Sequence, residues 1–148
     1  TVEQSKEAIK LLKINDIDCR IYLVSGLPAE PDDVVQRTLD FLDEAQPDVV
    51  SVSLFTIRPG TEIFNNPAKF GVQRISKDWR STMHSFNRYD NETPQLNFEY
   101  AEETPWGKGF SQSRIVDNFL QLQSEIEARG MNSAIFVKPE GTLHPPKI

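Results

Sequence analysis

Residues 19–25, Cys19-Arg20-Ile21-Tyr22-Leu23-Val24-Ser25, form a short apolar, β-branched run that stops at Gly26. A strand buried on both faces reads this way. Upstream, Val2, Ile9 and Leu12, with Ala8 and Leu11 beside them, fall on one face of a helix over 2–14 that Asn15 and Asp16 break. Downstream, Gly26-Leu27-Pro28-Ala29-Glu30-Pro31-Asp32-Asp33 is turn chemistry leading into a helix. Pro31 suits the first helical position, and Asp32 and Asp33 set negative charge against the positive end of the helix dipole. Val34, Val35, Thr38, Leu39, Leu42 and Ala45 then repeat at helical spacing until Pro47 ends the pattern. A second buried strand follows over 49–56 and stops at Arg58-Pro59-Gly60-Thr61.

The first 61 residues therefore read helix, strand, helix, strand, which is α/β. The helix between the strands has about the length that a right-handed parallel crossover requires. Ligands meet such sheets at the carboxyl ends of the strands, and the turns at 26–30 and 58–61 both belong to that end.

The pattern weakens over 62–110. Asn65-Asn66-Pro67 and Phe70-Gly71-Val72 read as surface turns, Asp78–Phe86 as a short helix around Trp79 and Met83, and the alternation over 95–100 as a half-exposed strand. Thr104-Pro105-Trp106-Gly107-Lys108-Gly109-Phe110 is a rigid, aromatic-bearing loop. So long a stretch with little regular structure is usually functional, or packs against something else. A helix returns over 112–129, with Ile115, Phe119, Leu122 and Ile126 on one face, Ser111 as N-cap and Gly130 as the stop. Ala134-Ile135-Phe136-Val137 reads as one more strand. This gives three parts: 1–72, an extension over 73–137, and a flexible tail over 138–148.

At 148 residues the chain is one domain or a large part of one. Its 38% hydrophobic and 26% charged residues are those of a chain with a core, not of a disordered one. No apolar run approaches the ~18–20 residues of a membrane helix, so no membrane partner is expected. Sixteen basic against twenty-two acidic residues, net −6, argue against the basic face of a nucleic-acid binder. No signal peptide is visible, and the chain starts at Thr1 rather than Met, as it would if its natural N-terminus lay upstream. A single cysteine, Cys19, allows no internal disulfide and suits a reducing, cytoplasmic setting.

The residues offer few catalytic constellations. His84 and His144 are the only histidines, too few and too distant for a hydrolytic triad or, with Cys19, a zinc site. Gly26 is followed by Leu27-Pro28-Ala29, which is not a glycine-rich phosphate loop. Glu30, Asp32 and Asp33 suit a metal or a ribose, or simply dress a helix N-terminus. Arg58 and Thr61 are donors placed to close on a ligand, or parts of an ordinary turn. Tyr100, Trp106 and Phe110 line a pocket or seal a core edge, and Cys19 reads as a small buried hydrophobe.

Taken together, the two strand-end segments resemble a known family. Ile21-Tyr22-Leu23-Val24-Ser25-Gly26-Leu27-Pro28-Ala29-Glu30, followed by an acidic helix with Thr38-Leu39-Asp40-Phe41-Leu42, resembles the fifth strand and following helix of radical S-adenosylmethionine (SAM) enzymes. The run from Val50 through Arg58-Pro59-Gly60-Thr61 to Phe64 resembles their sixth strand and its Pro-Gly-Thr turn. The likeness covers roughly residues 1–72 and is closest to the branch with a cobalamin-binding domain, which includes methyltransferases and cyclases.

The resemblance implies a fragment of a partial (β/α)6 TIM-like barrel of parallel strands, carrying a C-terminal α+β extension. It implies SAM and a 4Fe-4S cluster as cofactors, with cobalamin a further one in that branch, for radical methylation or cyclisation of a small-molecule substrate. Protein thiolates hold such clusters, here through a Cys-x3-Cys-x2-Cys loop after the first strand. This chain has no such triplet and lacks the first four strands. It is therefore expected to be the C-terminal portion of a longer enzyme, partnered by the missing N-terminal part and inactive alone. Ala29 and Pro31 also depart from the usual Gly and Thr of the motif.

Carried over by position, Val24 would pack on adenine and Gly26 would allow close backbone approach near the methionine end. Leu54, Phe55 and Thr56 would offer strand-six contacts to adenine, and Glu30, the motif's acidic residue on this cofactor-binding side, would be structural rather than catalytic. Arg58, Trp106, Lys108 and Phe110 are substrate-side candidates, and no catalytic acid or base is assigned. Strand edges left open by the missing strands are expected to pair two copies of the fragment. The competing expectations are a stand-alone α/β binding or interaction module without iron–sulfur chemistry, and a degenerate barrel that serves as a scaffold.

Overall fold

The computed structural model describes residues 1–78 and 94–131. The short helix expected around Trp79 and Met83, the strand at 134–137, the tail from residue 138 and both histidines lie outside the described residues.

The elements run α1 (Val2–Ile14), β1 (Arg20–Ser25), α2 (Val34–Ala45), β2 (Val49–Leu54), α3 (Glu62–Asn65), a 3-10 turn (Pro67–Phe70), β3 (Val72–Ile75), β4 (Phe98–Tyr100), β5 (Glu103–Thr104), β6 (Gly107–Lys108) and α4 (Gln112–Ala128). The described strands form three two-stranded sheets, β1–β2, β3–β4 and β5–β6, and no barrel closes among them. The last two sheets are antiparallel.

The direction of the first sheet follows from its end hydrogen bonds. The Cys19 carbonyl accepts the Val49 amide at 3.1 Å, and the Ser25 carbonyl accepts the Phe55 amide at 2.8 Å. The partner numbers rise together, so β1 and β2 run parallel and their carboxyl ends are neighbours.

The chain divides into two compact units. The first holds Thr1–Leu23, Val35–Val52 and the described residues from Leu122. Its core is Ile9, Cys19, Leu39, Leu42, Val50, Val52, Leu122, Ile126 and Met131. α1 ends where Asn15 caps it and Asp16 turns to φ 54, the left-handed region that Asp tolerates. Val50 N–H donates to the Met131 carbonyl at 2.6 Å, so β2 has a backbone partner on each side, β1 and Met131. β1 has only β2 among the described residues. The structure departs here from the sequence reading of two strands buried on both faces: β2 is largely buried, whereas β1 alternates, with Tyr22 72% exposed. At the surface, the Arg129 guanidinium bridges Asp43 (2.7 and 3.0 Å) and Glu125.

The second unit holds Val24–Val34 and the described residues of Ser53–Gln121. Its core contains Leu54, Ile57, Val72, Phe98, Tyr100, Ile115 and Phe119. Phe98 meets Phe55 and Tyr100 edge-on, with centroids 5.5 and 4.9 Å apart, the geometry aromatic pairs favour.

Boundaries shift in three places. α2 starts at Val34 rather than Pro31, because Val34 N–H closes a turn onto the Pro31 carbonyl. β2 ends at Leu54 rather than at residue 56. Val72–Ile75, read partly as a turn, is a strand that pairs with Phe98–Tyr100. The Ser111 cap and Gly130 stop of α4 stand as expected, with Arg114 N–H on the Ser111 hydroxyl at 3.2 Å and Gly130 at φ 69.

Candidate functional site

The two strand ends in the second unit bring most of the expected cofactor-side residues together. β1 finishes at Ser25, and the chain turns at Gly26, which has φ 93. An added Cβ there would lie 2.7 Å from Ile115 Cγ2, so the space beside this glycine is taken by α4. Its missing side chain is thus explained by helix packing as well as by backbone conformation.

Glu30 closes the turn. One carboxylate oxygen accepts Gly26 N–H at 2.7 Å and Leu27 N–H at 2.9 Å. Partial burial raises the Glu30 pKa, and the two backbone donors oppose that rise. Ala29 holds φ 65, a strained backbone for a residue with a Cβ, and the Glu30 clasp spans it.

Leu54, the last residue of β2, is buried, and Phe55, just beyond the strand, is half-buried against Phe98. Thr56 Oγ1 is buried without a hydrogen-bond partner among the described residues. Val24 leaves 45% of its surface exposed at the tip of β1. Thr61, weighed as a ligand donor, serves the turn instead: its hydroxyl donates to the Arg58 carbonyl at 2.7 Å and accepts Phe64 N–H at 3.3 Å. Arg58 lies exposed in that turn. Asp32 pairs with Arg114 at 2.8 Å. Among the described residues no group of three His, Cys, Asp or Glu side chains is placed to hold a metal ion.

Trp106, Lys108 and Phe110 do come together, around a small cavity that Glu30, Phe70 and Tyr100 also line. Its volume is about 30 Å³, room for a water molecule and far below a ligand pocket of ~300–1,000 Å³. Trp106 is 52% exposed, and Arg114 stacks over the Phe110 ring at 3.9 Å. Arg58 is not part of this cluster.

Sequence reasoning missed Asn97. Its side-chain amide accepts Ile57 N–H at 3.0 Å and donates to the Ile57 carbonyl at 2.7 Å. The polar–apolar alternation over 95–100 put Asn97 on the solvent side, yet it is 3% exposed. Tyr100, read as a pocket wall or the seal of a core edge, donates its hydroxyl to the Gly26 carbonyl at 2.9 Å. Burial, with the Glu30 charge adding, pushes the Tyr100 phenol well above its usual range, so it stays a donor at neutral pH.

No family model matches the chain, and no solved structure does. Part of the chain is similar to tRNA methylthiotransferases. Over 63 residues, 41% of this chain, it is 35% identical to the probable threonylcarbamoyladenosine tRNA methylthiotransferase of Pyrococcus abyssi. Over 69 residues, 45% of this chain, it is 38% identical to the tRNA-2-methylthio-N(6)-dimethylallyladenosine synthase of Treponema denticola. The matched region spans about 15% of the length of either relative.

Proposed function

We infer that this chain is the C-terminal part of a radical SAM enzyme and that its two strand tips, at 24–30 and 54–58, form one wall of the SAM site. The parallel pairing of β1 with β2 carries this reading, because it brings the Gly26 turn beside the Phe55-Thr56-Ile57 backbone. The partial likeness to methylthiotransferases, which are radical SAM enzymes, supports the family. Neither relative speaks for the cobalamin branch, so the reading extends to radical SAM enzymes at large. In this reading β1 and β2 are the last strands of a partial barrel, and the open edge of β1 takes a further strand of the same polypeptide. In the isolated chain two copies would pair there, and concentration-dependent sedimentation tests that pairing.

The residues present suit SAM in part. Val24 offers apolar surface to a flat base, and Thr56 has a hydroxyl that lacks a partner among the described residues. A buried unpaired hydroxyl costs roughly 1–3 kcal/mol, so it is a position that asks for one. The described residues do not suit the cluster: Cys19 is buried and stands alone. On this reading the cluster thiolates belong to the remainder of the polypeptide, whose low-oxygen chemistry suits a reducing, cytoplasmic setting. In the complete enzyme, SAM with a cluster held by the remainder of the polypeptide would supply radical hydrogen-abstraction chemistry. The part of this chain is to present the backbone of the tips, to pack Val24 on the ligand and to keep water from it.

The relatives bring methylthio transfer to tRNA adenosine into view beside methylation and cyclisation. A small-molecule acceptor stands beside tRNA as a substrate class in this reading.

The complete gene product that carries this chain, reconstituted anaerobically with iron and sulfide, tests the reading. A 4Fe-4S absorption band and 5′-deoxyadenosine formed from SAM and a reductant are expected. A colourless protein without SAM cleavage would contradict it and leave the stand-alone α/β module in its place. Product analysis with tRNA and with small acceptors then separates the reaction classes.

A further inference from the structure

Both strand tips of the second unit are held from one short strand. Asn97, directly before β4, takes both backbone hydrogen-bonding groups of Ile57, at 3.0 and 2.7 Å. Tyr100, the last residue of β4, donates to the Gly26 carbonyl at 2.9 Å. The strand between them is itself anchored, since Gln112 Nε2 donates to the Phe98 carbonyl at 2.6 Å. Phe98 also packs its ring on Phe55.

A side-chain amide that satisfies the N–H and C=O of one residue stands in for a neighbouring strand. It fixes the peptide planes on both sides of Ile57, and with them the backbone that carries Thr56. The Tyr100 bond does the same for the peptide that follows Gly26. Asn97 and Tyr100 are both buried, and the hydrogen-bonding groups of their side chains engage the backbones of the two tips. Burial alone would call for some partner for each polar group. The partners found are the backbones of the two tips.

We propose that Asn97 and Tyr100 are positioning residues that hold the Gly26 and Ile57 backbones in the geometry against which SAM binds. This rests on the radical SAM reading above. The β4 segment thereby sets the SAM wall through those two backbones.

The test is SAM affinity, measured by equilibrium dialysis on the complete gene product with its cluster in place. Wild type is compared with Tyr100→Phe, Asn97→Ala and a core truncation in the other unit, Leu42→Ala, with iron content and melting temperature followed in parallel. Tyr100→Phe is expected to raise the SAM Kd about tenfold, the ratio of one lost hydrogen bond, at unchanged iron content. Asn97→Ala, which strands two groups of Ile57, is expected to raise it further. Leu42→Ala is expected to lower the melting temperature and leave the Kd alone. If Asn97→Ala does not fold, Tyr100→Phe decides. A Tyr100→Phe enzyme that binds SAM within twofold of wild type overturns the proposal alone. A wild-type enzyme that binds no SAM overturns the radical SAM reading itself, and this proposal with it.

Discussion

The carboxylate of Glu30 accepts the amide N–H of Gly26 at 2.7 Å, four residues back along the chain, and so closes the turn at the end of β1. The same oxygen takes Leu27 N–H at 2.9 Å. Glu30→Ala leaves both donors without this acceptor and is expected to cost about 2 kcal/mol in urea unfolding. Glu30→Gln keeps a carbonyl acceptor and should cost less than half of that.

The same group sets a pH dependence. Burial raises the folded Glu30 pKa above the ordinary 4.5, so between those values the folded state binds more protons than the unfolded one. Unfolding free energy therefore falls as pH rises from 4.5 through the raised value, and the penalty is complete above it. Subtracting the Glu30→Gln profile from wild type should isolate this slope. A difference of the opposite sign would contradict the burial assigned to Glu30.

Gly26→Ala places a methyl 2.7 Å from Ile115 Cγ2 at a φ of 93. The methyl it meets sits on a β-branched carbon with little rotamer freedom. Backbone strain and overpacking together are expected to cost roughly 2–5 kcal/mol. In Gly26→Ala with Ile115→Ala the clash is relieved, so the two costs should sum to more than the double variant by about 1 kcal/mol. Full additivity in denaturant melts would show that the two residues do not meet.

Phe98 is nearly fully buried between Phe55 and Tyr100, whereas Trp106 is half exposed. Phe98→Ala is expected to cost roughly 3–5 kcal/mol and Trp106→Ala less than about 1 kcal/mol. Equal costs in thermal or urea unfolding would contradict the placement of these two rings.

The Arg129 guanidinium holds the Asp43 carboxyl below its ordinary value of 3.8. The stability it contributes is present above 3.8 and is lost as pH falls through the lowered value. In an NMR titration, Arg129→Ala should move the Asp43 carboxyl back upward.

Local patterning made much of this legible. The apolar runs at β1 and β2, the breaks at Asn15-Asp16 and Pro47, and the Ser111 and Gly130 ends of α4 each depend on neighbours within a few residues. The parallel course of β1 and β2 followed from the length of the segment between them. What stayed hidden depends on distant partners. Asn97 is buried because Ile57, 40 positions earlier, needs a neighbour for its backbone, and alternation within 95–100 contains no sign of that. Val72–Ile75 becomes a strand because Phe98–Tyr100 arrives beside it. The aromatic loop around Trp106 was readable as a cluster, but its small cavity depends on how Phe70 and Tyr100 fill it.

The central claim is that SAM lies against the tips of β1 and β2. Amide hydrogen exchange on the reconstituted complete gene product, with and without SAM, tests it most directly. SAM is predicted to slow exchange in peptides covering 24–27 and 55–57. Binding of SAM with protection elsewhere and none in these two segments would contradict it.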